Sequence, residues 1–103
     1  MRMMQEVPKA DVIITNPTHF AVALQYDASK MDAPRVIAKG QDYLALRIRQ
    51  IAKENGVLTM ENKPLARALY QRTDIGDAVP ADLFQAVAEV LAYVYRLKGR
   101  RHV

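Results

Sequence analysis

The strongest constraint on this chain is a pair of strand-forming runs with four residues between them. Asp11-Val12-Ile13-Ile14-Thr15 is a short β-branched run, too short for a helix and suited to a buried strand. Phe20-Ala21-Val22-Ala23-Leu24-Gln25-Tyr26 alternates large and small side chains at period two. That spacing puts Phe20, Val22, Leu24 and Tyr26 on one face of a strand, with that face on a core. Between the runs stands Asn16-Pro17-Thr18-His19. Asn-Pro initiates turns, and proline has no N–H to give to a ladder. Two strands joined this way form a hairpin with the tetrapeptide at its tip.

The remaining chain supplies what covers such a hairpin. Residues 1–10 show no periodicity and predict mobile or extended chain, with Pro8 opposing a helix end. Asp27 to Pro34 reads as a loop. Arg35-Val36-Ile37-Ala38-Lys39 reads as a third strand with Gly40 as its exit. Gln41 to Asn55 is predicted helical, with Leu44, Ile48, Ile51 and Ala52 on one stripe and Asn55-Gly56 as C-cap. Val57 to Glu61 is the fourth strand. Strand, helix and strand over residues 35–61 predict a right-handed βαβ unit with a parallel pair. Pro64 is placed as the first residue of a short helix through Leu65, Ala68, Leu69 and Tyr70. Asp74-Ile75-Gly76-Asp77 ends that helix. Pro80 then opens a long helix with Leu83, Phe84, Val87, Val90, Leu91 and Val94 on its apolar face. The order β-β-β-α-β-α-α predicts an α/β (α+β) fold: a small mixed four-stranded sheet covered by helices. Residues 1–10 divide off as a flexible linker, 11–98 as a single domain and 99–103 as a basic tail.

Composition removes several classes of function. A chain of 103 residues, 50% hydrophobic and 25% charged, is one globular domain and not a disordered segment. It contains no cysteine, which excludes disulfides, a thiol nucleophile and cysteine-held metal centres. The two histidines are His19 and His102, too few and too far apart for a His-rich metal site. The net charge is +4, and much of the excess lies in Arg96-Leu97-Lys98-Gly99-Arg100-Arg101-His102. Such a run is ordinarily a solvated helix end complementing the helix dipole. Contact with nucleic acid or anionic lipid is the competing reading. Tyr93 and Tyr95 stand near it, but within an apolar helical run that core or interface packing also explains. No segment approaches the ~18 consecutive apolar residues of a membrane span. The first residues lack the apolar region of a signal peptide; their abrupt, Met-rich start reads as a piece cut from something longer.

Catalytic motifs are mostly absent. There is no G-x-S-x-G, Gly-rich phosphate loop, H-E-x-x-H or EF-hand loop. Ser29, the only serine, lies in a loop, and Asp74 and Asp77 have the spacing of turn and capping residues. Glu89, on the apolar stretch of the long helix, reads either as a buried acid or, more in keeping with its type, as a solvated flank. What remains is Asn16-Pro17-Thr18-His19. An ordinary hairpin turn accounts for it structurally. It also carries a particular covalent chemistry. Pro17 has no N–H to attack the Asn16 side chain, so the reverse attack remains. The Asn16 side-chain nitrogen adds to Asn16's own backbone carbonyl, a succinimide closes, and Pro17 leaves as a secondary amine. A tight turn can hold the reacting atoms in near-attack geometry. His19 suits proton transfer near neutral pH. Thr18 either donates to the developing oxyanion or satisfies the turn backbone.

The tetrapeptide in its setting of Asp11 to Thr15 and Phe20 to Leu24 resembles the cytoplasmic domain of the FlhB/YscU family. The likeness continues through Met31-Asp32-Ala33-Pro34, Val36-Ile37-Ala38-Lys39-Gly40, Leu46-Arg47-Ile48-Arg49, Pro64 to Tyr70 and Ala88 to Tyr95. It is closer to the flagellar branch than to the injectisome branch. The resemblance implies a component of a type III export apparatus at the cytoplasmic face of the bacterial inner membrane, anchored through a transmembrane part absent here. It implies self-cleavage between Asn16 and Pro17, with Thr18 and His19 completing the site, and a switch of export from rod and hook proteins to filament proteins. The implied partners are other export-apparatus proteins, a hook-length ruler, the exported substrates and the domain's own cleaved N-terminal fragment. No nucleic acid, cofactor or metal is implied. Three alternatives remain: an injectisome-type paralogue with the same mechanism, a basic adaptor contacting nucleic acid or lipid, and a small hydrolase using His19.

Overall fold

The computed structural model describes residues 2–17 and 19–100. Its strands are β1 (Val12–Asn16), β2 (Phe20–Gln25), β3 (Arg35–Gln41) and β4 (Leu58–Glu61). Its helices are α1 (Arg2–Glu6), α2 (Tyr43–Glu54), α3 (Lys63–Arg72) and α4 (Phe84–Arg100), with short 3-10 turns at Val7–Lys9 and Ala81–Leu83. The four strands form one mixed sheet in the order β3-β2-β1-β4. β1 and β2 pair antiparallel, with Ile14 opposite Val22 and Asn16 opposite Phe20. β2 and β3 are also antiparallel, with a bulge at Ala23/Leu24. The α/β fold with a mixed four-stranded sheet is therefore the one the element order predicts.

The sheet order differs from the sequence expectation. β3 and β4 run parallel but occupy opposite edges, and β4 pairs with β1, Val12 lying beside Leu58 and Ile14 beside Met60. The connection through α2 thus crosses two strands instead of none. The reason lies in the alanines. Ala21, Ala23 and Ala38 are fully buried, and they pack with Ala45, Ile48 and Ala52 of α2 and with Ile13. Small side chains on the middle of the sheet let α2 lie across it, delivering the chain to the far edge. The same observation corrects the reading of β2 as a strand with one buried face.

Both faces carry a core. On the other one, Val12, Ile14, Val22, Leu24 and Val36 meet Leu65, Ala66 and Leu69 of α3 and Val87, Leu91 and Val94 of α4. Burial on both faces is why β1 reads as a continuous apolar run and not an alternating one. At ~1.5–3 kcal/mol for each fully buried aliphatic side chain, Val12, Ile13 and Ile14 tie β1 to both layers.

Other departures are local. Residues 2–9 are helical where the absence of periodicity predicts extended or mobile chain. Val7 is fully buried and joins the α2-side core, with Met3 and Met4 packed against it. Gly40 is not a strand exit; it lies inside β3, and α2 begins at Tyr43 after Asp42. α4 starts at Phe84, behind a 3-10 turn that Pro80 introduces. Tyr93 and Tyr95 are 41% and 42% exposed, so core packing does not explain them. Asp74 and Asp77 do form a turn: the Asp77 carboxylate accepts from the Asp74 N–H at 2.9 Å. Arg101 and His102 of the basic tail, and Thr18 of the hairpin tip, lie outside the described residues.

Candidate functional site

The tip of the β1–β2 hairpin is where the ladder stops being regular. Asn16 and Phe20 are the last paired residues, and proline at 17 ends the ladder because it has no N–H to offer. The chain closes on itself there: the His19 N–H donates to the Asn16 carbonyl at 2.9 Å. This is the carbonyl that an attack by the Asn16 side chain would have to reach. An N–H pointing at its oxygen draws electron density from the carbon and stabilises negative charge that develops on that oxygen.

Four further bonds tie the tip to the body of the domain. Upstream, the Thr15 carbonyl accepts from the Asn62 N–H at 3.0 Å. Thr15 itself is buried, and its hydroxyl donates to the Met60 carbonyl at 3.5 Å. Downstream, the His19 carbonyl accepts from the Asp42 N–H at 2.9 Å, and the Pro17 carbonyl accepts from Arg49 Nη1 at 3.0 Å. Beyond the turn, the Phe20 ring stacks on Tyr70 of α3 with centroids 4.7 Å apart. Tyr70 in turn lies under the Lys39 ammonium, which also donates to the Tyr70 and Thr73 carbonyls at the end of α3.

Of the residues that the sequence singles out, Asn16 and Pro17 are half-buried and His19 is exposed, its ring edge-on to Phe20 at 6.1 Å. Thr18 belongs to the same four residues but is outside the described set. Asn16 also lines a cleft of about 410 Å³ with Lys63, Pro64, Arg67, Ala68 and Gln71. Arg49, Asp42 and Asn62 are the neighbours that sequence reasoning missed as site residues. Only Asn62 had a local signal, as a helix N-cap before Lys63-Pro64. Among the described residues, no group of three or more His, Asp or Glu side chains is placed to hold a metal ion. Nor is any helix among them long and apolar enough to cross a membrane.

The same hairpin and sheet occur in known proteins. Residues 1–94 match the model of the FlhB HrpN YscU SpaS family. The chain is 66% identical over 99 residues to the flagellar biosynthetic protein FlhB of Bacillus subtilis (strain 168), covering 96% of this chain and 28% of that protein. To FlhB of Salmonella typhimurium (strain LT2) it is 62% identical over 100 residues, covering 97% of this chain and 26% of that one. It thus spans about a quarter of the length of these relatives. Among solved structures, the cytoplasmic domain of FlhB from Shewanella putrefaciens superposes with a TM-score of 0.92 at 48% identity, over 98% of this chain and 78% of that one. An EscU C-terminal domain carrying an Asn-to-Asp mutation gives 0.85 at 33% identity, over 89% of this chain and 98% of that one. With 94 of its 103 residues matched by the family model, the chain belongs to the FlhB HrpN YscU SpaS family.

Proposed function

We propose that this domain cuts its own backbone between Asn16 and Pro17, and that the cut changes which proteins a flagellar type III export apparatus accepts. In the reaction, Asn16 Nδ2 bonds to the Asn16 backbone carbon and the bond from that carbon to Pro17 nitrogen breaks. The Nδ2 proton passes to the Pro17 nitrogen, leaving a C-terminal succinimide on one piece and a secondary amine on the other. Water then opens the imide. The step that breaks the backbone needs no external nucleophile, cofactor or metal. His19 carries the proton, and Thr18 either donates to the oxyanion or supports the turn.

The observation that carries this reading is the 2.9 Å bond from the His19 N–H to the Asn16 carbonyl, at a position where proline follows asparagine. It supplies a fixed donor at the oxygen that becomes negative, and it costs no reorganisation when the charge appears. The flagellar relatives support the biological setting. The domain would then work at the cytoplasmic face of the inner membrane behind a transmembrane part. Its partners would be other export components, a hook-length ruler, rod, hook and filament proteins, and its own N-terminal piece.

Intact mass under denaturing conditions tests the chemistry. The expected result is two species, broken after Asn16, whose masses sum to the whole chain or to the chain plus one water. Asn16→Ala is expected to stay whole. In cells, an Asn16→Ala chain that folds, stays whole and still changes substrate class on schedule would remove the cut from the switch.

A further inference from the structure

The self-cleavage proposed above leaves open what holds the departing half of the turn, and the structure offers one residue for that task. We propose that Arg49 is a positioning residue for the break, acting through the Pro17 carbonyl. Its Nη1 donates to that oxygen at 3.0 Å in a partly buried contact between residues 32 apart in sequence.

The argument rests on which torsions of Pro17 are free. The ring locks φ and the peptide bonds on either side are planar, so ψ is the one soft dihedral left. ψ sets where the Pro17 carbonyl points, and Arg49 holds that carbonyl. With φ fixed by covalent structure and ψ by the guanidinium, the leaving nitrogen has a defined position relative to β2. Two residues on, the Asp42 N–H holds the His19 carbonyl at 2.9 Å. These two anchors of the leaving half therefore come from the residue just before α2 and from its middle. The attacking half has an anchor of its own: besides the pairing of Asn16 with Phe20 across the turn, the Thr15 carbonyl takes a bond from the Asn62 N–H, just before α3. The scissile bond thus joins two strand ends that have separate outside anchors, and Arg49 is one of those on the second. Arginine suits the position because its planar fork presents several donors in fixed geometry and resists rotation. Its bond to the carbonyl is charge-assisted.

The experiment follows cleavage of the full chain in time after cell-free synthesis, reading intact and cut species by denaturing mass spectrometry. Stability is measured in parallel on an Asn16→Ala background, so that the cut does not confound it. Arg49→Gln is expected to slow cleavage by roughly tenfold or more, because small misplacements of reacting atoms are costly, while the urea midpoint barely moves. Arg49→Lys, which restores a cationic donor without the fork, is expected to fall between. Arg47→Gln, on the same helix, is expected to cleave as the parent does. If Arg49→Gln cleaves at the parental rate while the parent does cut, the inference fails and the self-cleavage reading stands. It also fails if Arg49→Gln does not fold, or if both Arg49 variants slow equally with a matching loss of stability. A parent chain that remains whole removes the self-cleavage reading, and this inference with it.

Discussion

Gly40 sets how closely α2 can approach the sheet. It is buried inside β3, and a Cβ built there would sit 2.7 Å from Leu44 Cβ and 2.9 Å from the Leu44 backbone carbon. Neither is the free end of a flexible side chain, so the first turn of α2 would have to move. Gly40→Ala is therefore expected to destabilise the fold by ~1–3 kcal/mol, the range for overpacked sites; a urea titration measures it. Asp42, two residues later, stands at φ +52°, a region that side chains rarely occupy, and its N–H is the one that holds His19. At this scale the sequence was partly legible. Asn16, Pro17 and His19 announce themselves because Asn-Pro is chemically unusual wherever it occurs. Arg49 does not. It adjoins Ile48 of the buried stripe, and no local pattern tells which flank of a helix will meet a turn 32 residues upstream.

Among the elements, α3 is the one whose start is governed by a single side chain. Asn62 Oδ1 accepts from the Leu65 N–H at 3.2 Å, and Pro64 follows within the first turn. Asn62→Ala is expected to cost about 1 kcal/mol through the lost cap, readable as a lower thermal midpoint. Its backbone N–H would still reach Thr15, so cleavage should proceed at close to the parental rate. Strands and helices of this kind are legible to within a residue or two, since caps, prolines and apolar spacing are local signals. β1 and β2 fall where the two runs place them, and α3 begins one residue before the position read from Pro64. α1 is different. Five residues are too few to show a helical period, and what orders them is Val7 entering a core built from distant strands. The sheet order is hidden for a related reason: pairing of β4 with β1 depends on where α2 crosses, which the spacing within 35–61 does not encode.

For the whole molecule, the two cores matter more than any one contact. Cleavage after Asn16 would leave pieces of 16 and 87 residues, yet β1 is bonded to β2 on one edge and to β4 on the other. Val12, Ile13 and Ile14 are fully buried in the two opposite layers. The cut protein is expected to elute from a sizing column as one particle of undiminished mass, and to separate only in denaturant. A small piece found free in native buffer would contradict this. Apart from the His19 N–H bond to the Asn16 carbonyl, the ladders and buried side chains that hold β1 lie outside the Asn16–Pro17 peptide, so the fold is expected to survive the cut.

Placing β1 in the sheet's interior also has a kinetic consequence. A piece held at an edge could peel away and be replaced, and its residence would be set by a local opening. β1 cannot leave without stripping two ladders and exposing both cores, so its dissociation rate becomes the unfolding rate of the domain. For small domains that time runs from roughly a second or less to days. A domain cut in this way would carry its history as a persistent mark, erased only by unfolding.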